Sequence, residues 1–190
     1  MGLCEQLIKS NIQSDCNNPI FGGYKNIGWI INKADIDSWA KGNDDGSLLI
    51  SDIKLKAGAQ AYKIQSLGSQ PTPTTQTFVK GNFYNTWNNV VTIALLDNSE
   101  ATTREIIMPM ASGAKFVVIL EHERTENGTP QFEIFGLSKG LQLQDGTNRE
   151  EYNADLKGGW NIPLEETEAP VPAYYIEDRS IVEGLETPAV

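Results

Sequence analysis

The chain has 190 residues, of which 25 are acidic and 15 are basic, so its formal net charge is −10. A surface of this sign repels phosphate groups, which excludes nucleic-acid binding through clustered lysines and arginines. No apolar run approaches the roughly 20 residues that a membrane-spanning helix requires. The length is sufficient for one domain with its own core. We therefore expect a single acidic domain without a membrane span.

Cys4 and Cys16 are the only cysteines, and His122 is the only histidine. These three residues cannot complete the tetrahedral ligand set of a structural zinc site, and neither cysteine lies in a CxxC pair. Free thiols in a protein made in the cytoplasm, or one bridge between the two cysteines, are the alternatives that the sequence leaves open. We predict no metal and no cofactor.

The N-terminal segment carries apolar residues at helical spacing, namely Leu3, Leu7 and Ile8. This spacing predicts a short amphipathic helix or arm within residues 1–20. Its end is marked by a turn-rich cluster that includes a proline.

The following residues alternate in the way that β-strands do. Ile27, Trp29 and Ile31 lie at every second position and predict one face of the first core strand. Further short strands are predicted at 47–55, 61–67, 75–80 and 89–96. A proline-containing and threonine-containing stretch at 68–75 predicts a surface loop.

Residues 82–89 mix aromatic side chains with asparagines. Aromatic residues beside amides can stack on sugars or bases, but in a β-rich chain they more often fill a corner of the core. We interpret this stretch as packing. A helix is predicted next, over 99–109, with Ser99 as its capping residue and with Pro109 and Gly113 ending it.

Two β-branched and aromatic runs flank Asn127-Gly128, a dipeptide suited to a type I′ turn. The pattern predicts a long hairpin in which Leu120 lies opposite Phe135 and His122 lies opposite Glu133. The base of the hairpin is apolar on both faces and its tip is polar, so we expect the tip to project from the domain. The candidate contacts between subunits are this tip and the N-terminal arm: Arg124, Thr125, Glu126, Asn127, Gly128, Thr129, Leu3, Leu7 and Ile8.

The C-terminal part predicts strands around 141–143 and 158–164, with Pro163 indicating an edge strand. Residues 165–172 are interpreted as a linker, and Tyr174–Ile176 as a last extended segment. We divide the chain into an N-terminal arm (1–20), one β-sandwich domain (21–176) and an acidic C-terminal tail (177–190). The predicted fold is mainly β, an antiparallel β-sandwich or barrel with one flanking α-helix and a long projecting hairpin.

Enzyme signatures are missing from the sequence. It contains no GxSxG, no glycine-rich phosphate loop and no HExxH motif. A catalytic triad would have to use His122, which the hairpin places beside Glu133 as a cross-strand polar pair. We predict that the protein is not an enzyme.

The hairpin and the segments after it carry a resemblance to a known class. The quoted runs are Lys115-Phe-Val-Val-Ile-Leu-Glu, Gln131-Phe-Glu-Ile-Phe-Gly-Leu, Gly140-Leu-Gln-Leu and Gly158-Gly-Trp-Asn-Ile-Pro-Leu-Glu-Glu. This pattern resembles virion structural proteins of tailed bacteriophages, including crAss-like phages, and more loosely the tail-tube fold. The resemblance is strongest over 113–172.

The resemblance implies a tail-tube or head-tail ring subunit that self-assembles, in a ring of six or a multiple of six, with other tail or connector proteins as partners. DNA would then pass through an acidic lumen without specific binding, and the protein would be assembled in the host cytoplasm and reside in the virion. A carbohydrate-binding β-sandwich module and a capsid decoration protein are the alternatives that the sequence leaves open.

Overall fold

The computed structural model describes residues 23–42, 46–65, 73–123, 132–149 and 158–188. Every pairing between named strands in this part of the chain is antiparallel, which confirms the predicted mainly-β fold. The strands are β1 (Tyr24–Asn32), β2 (Ile36–Lys41), β3 (Ile50–Leu55), β4 (Tyr62–Gln65), β5 (Thr74–Val79), β6 (Thr86–Leu95), β7 (Phe116–His122), β8 (Phe132–Phe135), β9 (Gln142–Leu143), β10 (Asn148–Arg149), β11 (Trp160–Ala169) and β12 (Tyr174–Ile176).

The strands form two larger sheets and one two-stranded sheet. The central sheet has the order β12-β8-β7-β1-β4. The second sheet has the order β10-β11-β6-β5, with β9 also pairing with β11. Strands β2 and β3 pair with each other. In the described part of the chain neither larger sheet closes on itself, so the architecture is sandwich-like and not a barrel.

The central sheet is covered on both faces, and β7 shows this directly. Val117 and Ile119 belong to a core that also contains residues of β3 and of the C-terminal helix. Val118 and Leu120 belong to a second core shared with β6 and β11. Because side chains alternate along a strand, one strand supplies both cores, and β7 is an apolar run instead of an alternating one. The molecule therefore has three layers, with the central sheet in the middle.

The predicted hairpin is present, but its predicted register is wrong. Val118 lies opposite Phe135 and Leu120 lies opposite Glu133, two residues away from the expected pairing. A shift of two leaves every side chain on its predicted face, so the hydrophobic pattern could not distinguish the two registers. The predicted contact of His122 with Glu133 is confirmed as a diagonal one, with Nε2 and Oε1 3.2 Å apart.

The predicted helix runs from α1 (Glu100–Thr102) through a π-helical turn (Thr103–Ile107) to α2 (Met108–Ala111). Ser99 caps it as predicted, since its Oγ accepts the Thr102 N–H at 3.2 Å. Pro109 does not end the helix, contrary to the prediction. Proline has no N–H to donate, and the π turn accommodates this because the Met108 N–H reaches back five residues to Thr103.

Strand β11 corrects two predictions. Pro163 lies on a strand with neighbours on both sides, because β11 pairs with β6 on one side and with β9 and β10 on the other. The carbonyl of Pro163 accepts the Gln144 N–H at 2.9 Å, so the proline nitrogen, which has no hydrogen to donate, also lies on the side of β11 away from β6. The hydrogen bonds between β11 and β6 are therefore intact. The predicted linker at 165–172 is wrong over Glu165–Ala169, which continue β11.

The predicted acidic tail is also different in the structure. Residues Arg179–Gly184 form helix α3, and Val182 and Leu185 are buried in the first core. The apolar residues of this acidic stretch form too short a helical pattern to predict a helix from the sequence. The residues that pack against α3 and stabilise it lie far away in sequence. Tyr174–Ile176 form β12, which confirms the predicted extended segment; the structure places it at the edge of the central sheet.

Candidate interaction surface

The hairpin formed by β5 and β6 differs from the rest of the surface in its charge. Residues 73–96 contain one charged side chain, Lys80, whereas charged residues make up 21% of the whole chain. Protein interfaces are depleted in charged residues at their centre and enriched in aromatic ones. This hairpin is therefore the leading candidate for a contact surface.

Aromatic side chains are exposed at the tip of this hairpin. Phe83 is 98% exposed, Tyr84 is 66% exposed and Phe78 is 52% exposed. The rings of Phe78 and Trp87 meet edge to face, with centroids 5.5 Å apart. Our interpretation of residues 82–89 as core packing is wrong for Phe83 and Tyr84, because their rings face solvent. We define the tip as residues 78–87.

The exposure of the tip follows from the strand pattern. Trp87, Val91 and Ile93 lie on one face of β6, and Val91 and Ile93 are buried in the second core. Phe78 is paired with Trp87 on the same face. The hairpin thus continues its apolar face beyond the central sheet, and no layer of the described residues covers these last aromatic rings.

The loop that joins the two strands is tight. A Cβ atom at Gly81 would lie 2.1 Å from the carbonyl oxygen of Tyr84, so only glycine fits this position without a shift of the backbone. The loop backbone therefore holds Tyr84, and Phe83 beside it, in a defined position.

Strand β5 forms an open edge of its sheet in the described part of the chain, since it pairs with β6 alone. Thr74–Val79 contain no charged residue and no proline. Natural sheets usually protect such edges with lysine, proline or a bulge. Pro73 and Lys80 flank β5 but lie outside it, so within the described residues the strand itself is unprotected, and its position beside an aromatic tip favours contact with another chain.

Two buried polar groups fix the hairpin to the body. The carboxylate of Glu166, itself buried, accepts the backbone N–H of Lys139 at 2.7 Å and of Gly136 at 3.2 Å, as well as the amide of Asn89 at 3.3 Å. Asn89 lies on β6 and Glu166 on β11. These bonds connect the second sheet to the turn after β8, so the hairpin has a rigid base.

A second polar cluster fixes the start of β5. The hydroxyl of Tyr24 donates to Glu133, and the hydroxyl of Thr74 donates to Tyr24 at 3.4 Å. Burial raises the pKa of Tyr24 well above its usual value, and the neighbouring carboxylate of Glu133 adds to this effect. The tyrosine therefore remains a neutral hydrogen-bond donor that links β1 with β5 and β8.

The outer face of the second sheet carries little charge. Glu165 is the one carboxylate among the described residues that the strand register places on this face; the others are Thr75, Thr77, Val79, Thr86, Asn88, Val90, Thr92, Ala94, Gln142, Asn148, Asn161 and Pro163. The central sheet has no free face. This outer sheet face therefore does not supply the acidic lining that we expected for a lumen.

A groove lies on the opposite side of the molecule, between β3 and α3. Its volume is about 400 Å³, and its apolar lining includes Ile53, Leu55, Ile181 and Leu185. Asp52 and Lys54 lie at its rim and approach each other to 3.7 Å. The groove and the tip therefore lie on opposite sides of the molecule, and both offer apolar contact.

The sequence predicted subunit contacts at the turn between β7 and β8 and on the N-terminal arm. These residues lie outside the described ones: Arg124, Thr125, Glu126, Asn127, Gly128, Thr129, Leu3, Leu7 and Ile8. They stay predictions. The sequence reasoning missed Phe83 and Tyr84 as surface residues. The signal that could have identified them is the long run of uncharged residues on both sides of them. Packing in a core corner requires apolar neighbours but not uncharged strands, whereas the centre of an interface is depleted in charged residues.

Within the described residues, no group of three or more histidine, cysteine or acidic side chains could hold a metal ion. None of the helices in that part of the chain is long and apolar enough to cross a membrane. Comparison with protein-family models, with curated proteins and with solved structures found no match to this chain. The functional argument therefore depends on the geometry described above.

Proposed function

We propose that the protein is a structural subunit that assembles with copies of itself through the β5–β6 hairpin. The observation that carries this proposal is the aromatic tip on a hairpin with a single charged residue, Lys80, in a chain of net charge −10. Exposed apolar patches on soluble proteins are sites of association. Acidic chains repel each other, and this surface is where that repulsion is weakest.

The area of the tip is consistent with the centre of an interface. With the exposed fractions of Phe78, Phe83 and Tyr84 at 52%, 98% and 66%, and roughly 200 Å² for a whole aromatic side chain, the tip can bury about 400 Å². A stable interface buries roughly 800 Å² per partner. The tip therefore supplies about half of the required area, and surrounding contacts such as the open edge of β5 supply the rest.

The sequence resemblance extends the proposal to a particular class of assembly. Because the chain resembles virion proteins of tailed phages, we propose that it is a tail-tube or head-tail ring subunit, with other tail or connector proteins as partners. The net charge supports a conduit that DNA passes without adhering, because nucleic-acid affinity depends on clustered basic residues. The sandwich-like fold is common to many functions and does not select among them.

The test is to measure the mass of the purified protein as a function of concentration by analytical ultracentrifugation, and to image it by negative-stain microscopy. We expect rings or tubes, and we expect Phe83→Ser to remain monomeric with an unchanged circular dichroism spectrum. The matched control is Tyr62→Ser, which removes another exposed aromatic ring, 53% exposed on β4, and should assemble normally. A wild-type protein that stays monomeric at every concentration, with and without preformed seeds, would contradict the proposal.

A carbohydrate-binding module is the second candidate, because exposed aromatic rings beside asparagine amides are suited to stacking on sugars. The geometry favours assembly, since Phe78 and Trp87 meet at 72° and do not form a coplanar platform. Titration calorimetry with oligosaccharides separates the two candidates. Heat of binding that disappears in Trp87→Ala, in a protein that stays monomeric, would favour the carbohydrate module.

A further inference from the structure

We propose that the contact between copies is head to tail: the aromatic tip of one copy docks into the β3–α3 groove of the next. This inference depends on the proposed self-assembly and names the surface that receives the tip. Its occupant is Phe83 and Tyr84 of a second copy of this chain.

The groove has the size and lining that this occupant requires. Its volume is about 400 Å³, and a cavity of roughly 150 Å³ accommodates one benzene ring. Two aromatic rings therefore fit. Ile53 and Leu185 form its floor with exposures of 6% and 4%, so a ring that enters the groove reaches the surface of the first core.

The walls of the groove are held in place before any partner binds. Val182 of α3 is fully buried, and the backbone N–H of Ala61 donates to the carbonyl of Leu185 at 2.7 Å. The indole N–H of Trp29 donates to Glu186 at 2.7 Å. A preformed site avoids the entropic cost of ordering a loop when the partner binds.

The three-layer arrangement determines which tip can reach the groove. The groove belongs to the layer of β3 and α3, which packs on one face of the central sheet, and the tip belongs to the second sheet, which packs on the other face. A chain cannot fold its own tip around the central sheet into its own groove. The occupant must come from a second copy.

Charge favours the same contact. Lys80, within the tip, has no ion pair with another residue of the described part of the chain. Three exposed acidic residues, Glu177, Asp178 and Glu183, lie on or next to α3, the helix that forms one wall of the groove, and Asp52 and Lys54 at the rim offset each other. A tip with one positive charge that docks beside the acidic residues of this helix is electrostatically complementary, and such complementarity accelerates encounter and sets orientation.

A contact between two different surfaces has a consequence for the assembly. Each copy offers one tip and one groove, so the interface does not saturate at a dimer. Repetition of such a contact closes into a ring if the rotation between copies allows it, and otherwise continues as a filament. An interface made of the same surface on both partners would stop at two copies.

Two variants separate the two halves of the contact. Phe83→Ser removes the most exposed aromatic ring of the tip. Gly184→Trp fills the groove, and it is tolerated by the fold because a Cβ at Gly184 meets no atom within 4 Å and its backbone has an ordinary φ. The matched control for an added indole is Ala101→Trp, at an exposed helical position on the other side of the central sheet.

We expect each variant alone to self-associate at least about 30-fold more weakly than the wild type, as for a hot spot, while Ala101→Trp assembles normally. Mixed at equal concentration, the Phe83→Ser protein still has a groove and the Gly184→Trp protein still has a tip. The mixture should therefore form a one-to-one dimer and nothing larger. Thermal unfolding of each variant confirms that it is folded.

The outcomes distinguish this inference from the proposed function. Wild-type assembly together with normal assembly of Gly184→Trp would overturn the groove as the receiving surface, while leaving self-assembly established. A mixture that remains monomeric, with both variants folded, would overturn the head-to-tail arrangement. A wild-type protein that never associates would refute the proposed function and this inference together.

Discussion

Glu121 offers the sharpest test of how the C-terminal helix is held to the central sheet. This carboxylate on β7 is 3% exposed. Lys25 of β1 approaches its Oε1 to 2.6 Å, and Arg179 of α3 donates to the same oxygen. Burial alone would raise the pKa of Glu121, but the hydrogen bonds and charges of the two cations outweigh it, and the pKa is lowered.

The perturbation is Glu121→Gln, which keeps the shape of the side chain and removes its charge. Hydrogen bonds to a charged group contribute about 1.5–3 kcal/mol each. Lys25 and Arg179 have side chains that are 34% and 44% exposed, so water replaces part of what they lose. We therefore expect the free energy of unfolding to fall by about 2 kcal/mol at pH 7, which lowers the Tm of a chain of this length by about 4–8 °C.

The same reasoning sets the pH dependence. A carboxylate whose pKa is lowered by folding stabilises the protein above its unfolded pKa, and this contribution disappears as the pH falls through the folded pKa. The difference between the wild type and Glu121→Gln should thus be full at pH 6–7 and should shrink below about pH 4.5, the usual pKa of a glutamate.

The assay is urea unfolding followed by tryptophan fluorescence across this pH range. Glu183→Gln is the matched control, because Glu183 is an exposed acid on the same helix, and its loss should change stability by less than about 0.5 kcal/mol. Equal midpoints for the wild type and Glu121→Gln at pH 7 would refute the role of this carboxylate. A difference that persists undiminished at pH 3 would refute the electrostatic explanation.

Three further outcomes are expected. Gly28→Ala places a Cβ 2.8 Å from Leu120 and should cost about 1–3 kcal/mol in urea unfolding, whereas Gly184→Ala, with open space around it, should change little. Glu166→Gln leaves one acceptor oxygen for three N–H groups and should cost about 2 kcal/mol; an unchanged midpoint would show that the buried carboxylate is dispensable. Gly81→Ala should disturb the aromatic tip and weaken self-association in sedimentation without lowering the unfolding midpoint; loss of both together would indicate a general folding defect.

The strands could be predicted because their signal is local. Alternation at Ile27, Trp29 and Ile31 predicted the inner face of β1, and those residues lie on the first-core face. The hairpin of β7 and β8 was likewise predicted, down to the face of each side chain. Its register was not, because shifting a strand by two residues preserves the pattern, and only the packing of both faces of the central sheet distinguishes the alternatives.

The candidate site shows the opposite case. Aromatic residues at 82–89 were visible in the sequence, but composition alone does not say whether an aromatic ring faces a core or solvent. That outcome depends on where the second sheet ends relative to the central one. The scarcity of charge around Lys80 is visible in the sequence. It indicates a contact surface only once the structure shows that Phe83 and Tyr84 are exposed.

The sequence by itself determined the class of the fold and the sign of the surface charge, since both follow from the order and types of neighbouring residues. The tertiary structure decided what acidic segments do. Glu166 became an internal hydrogen-bond acceptor, and the stretch after Ile176 became a helix that closes a groove, because backbone donors and apolar side chains distant in sequence were placed next to them. A polar side chain is buried only where hydrogen-bonding partners are available to it, and which partners are available is decided by the tertiary structure.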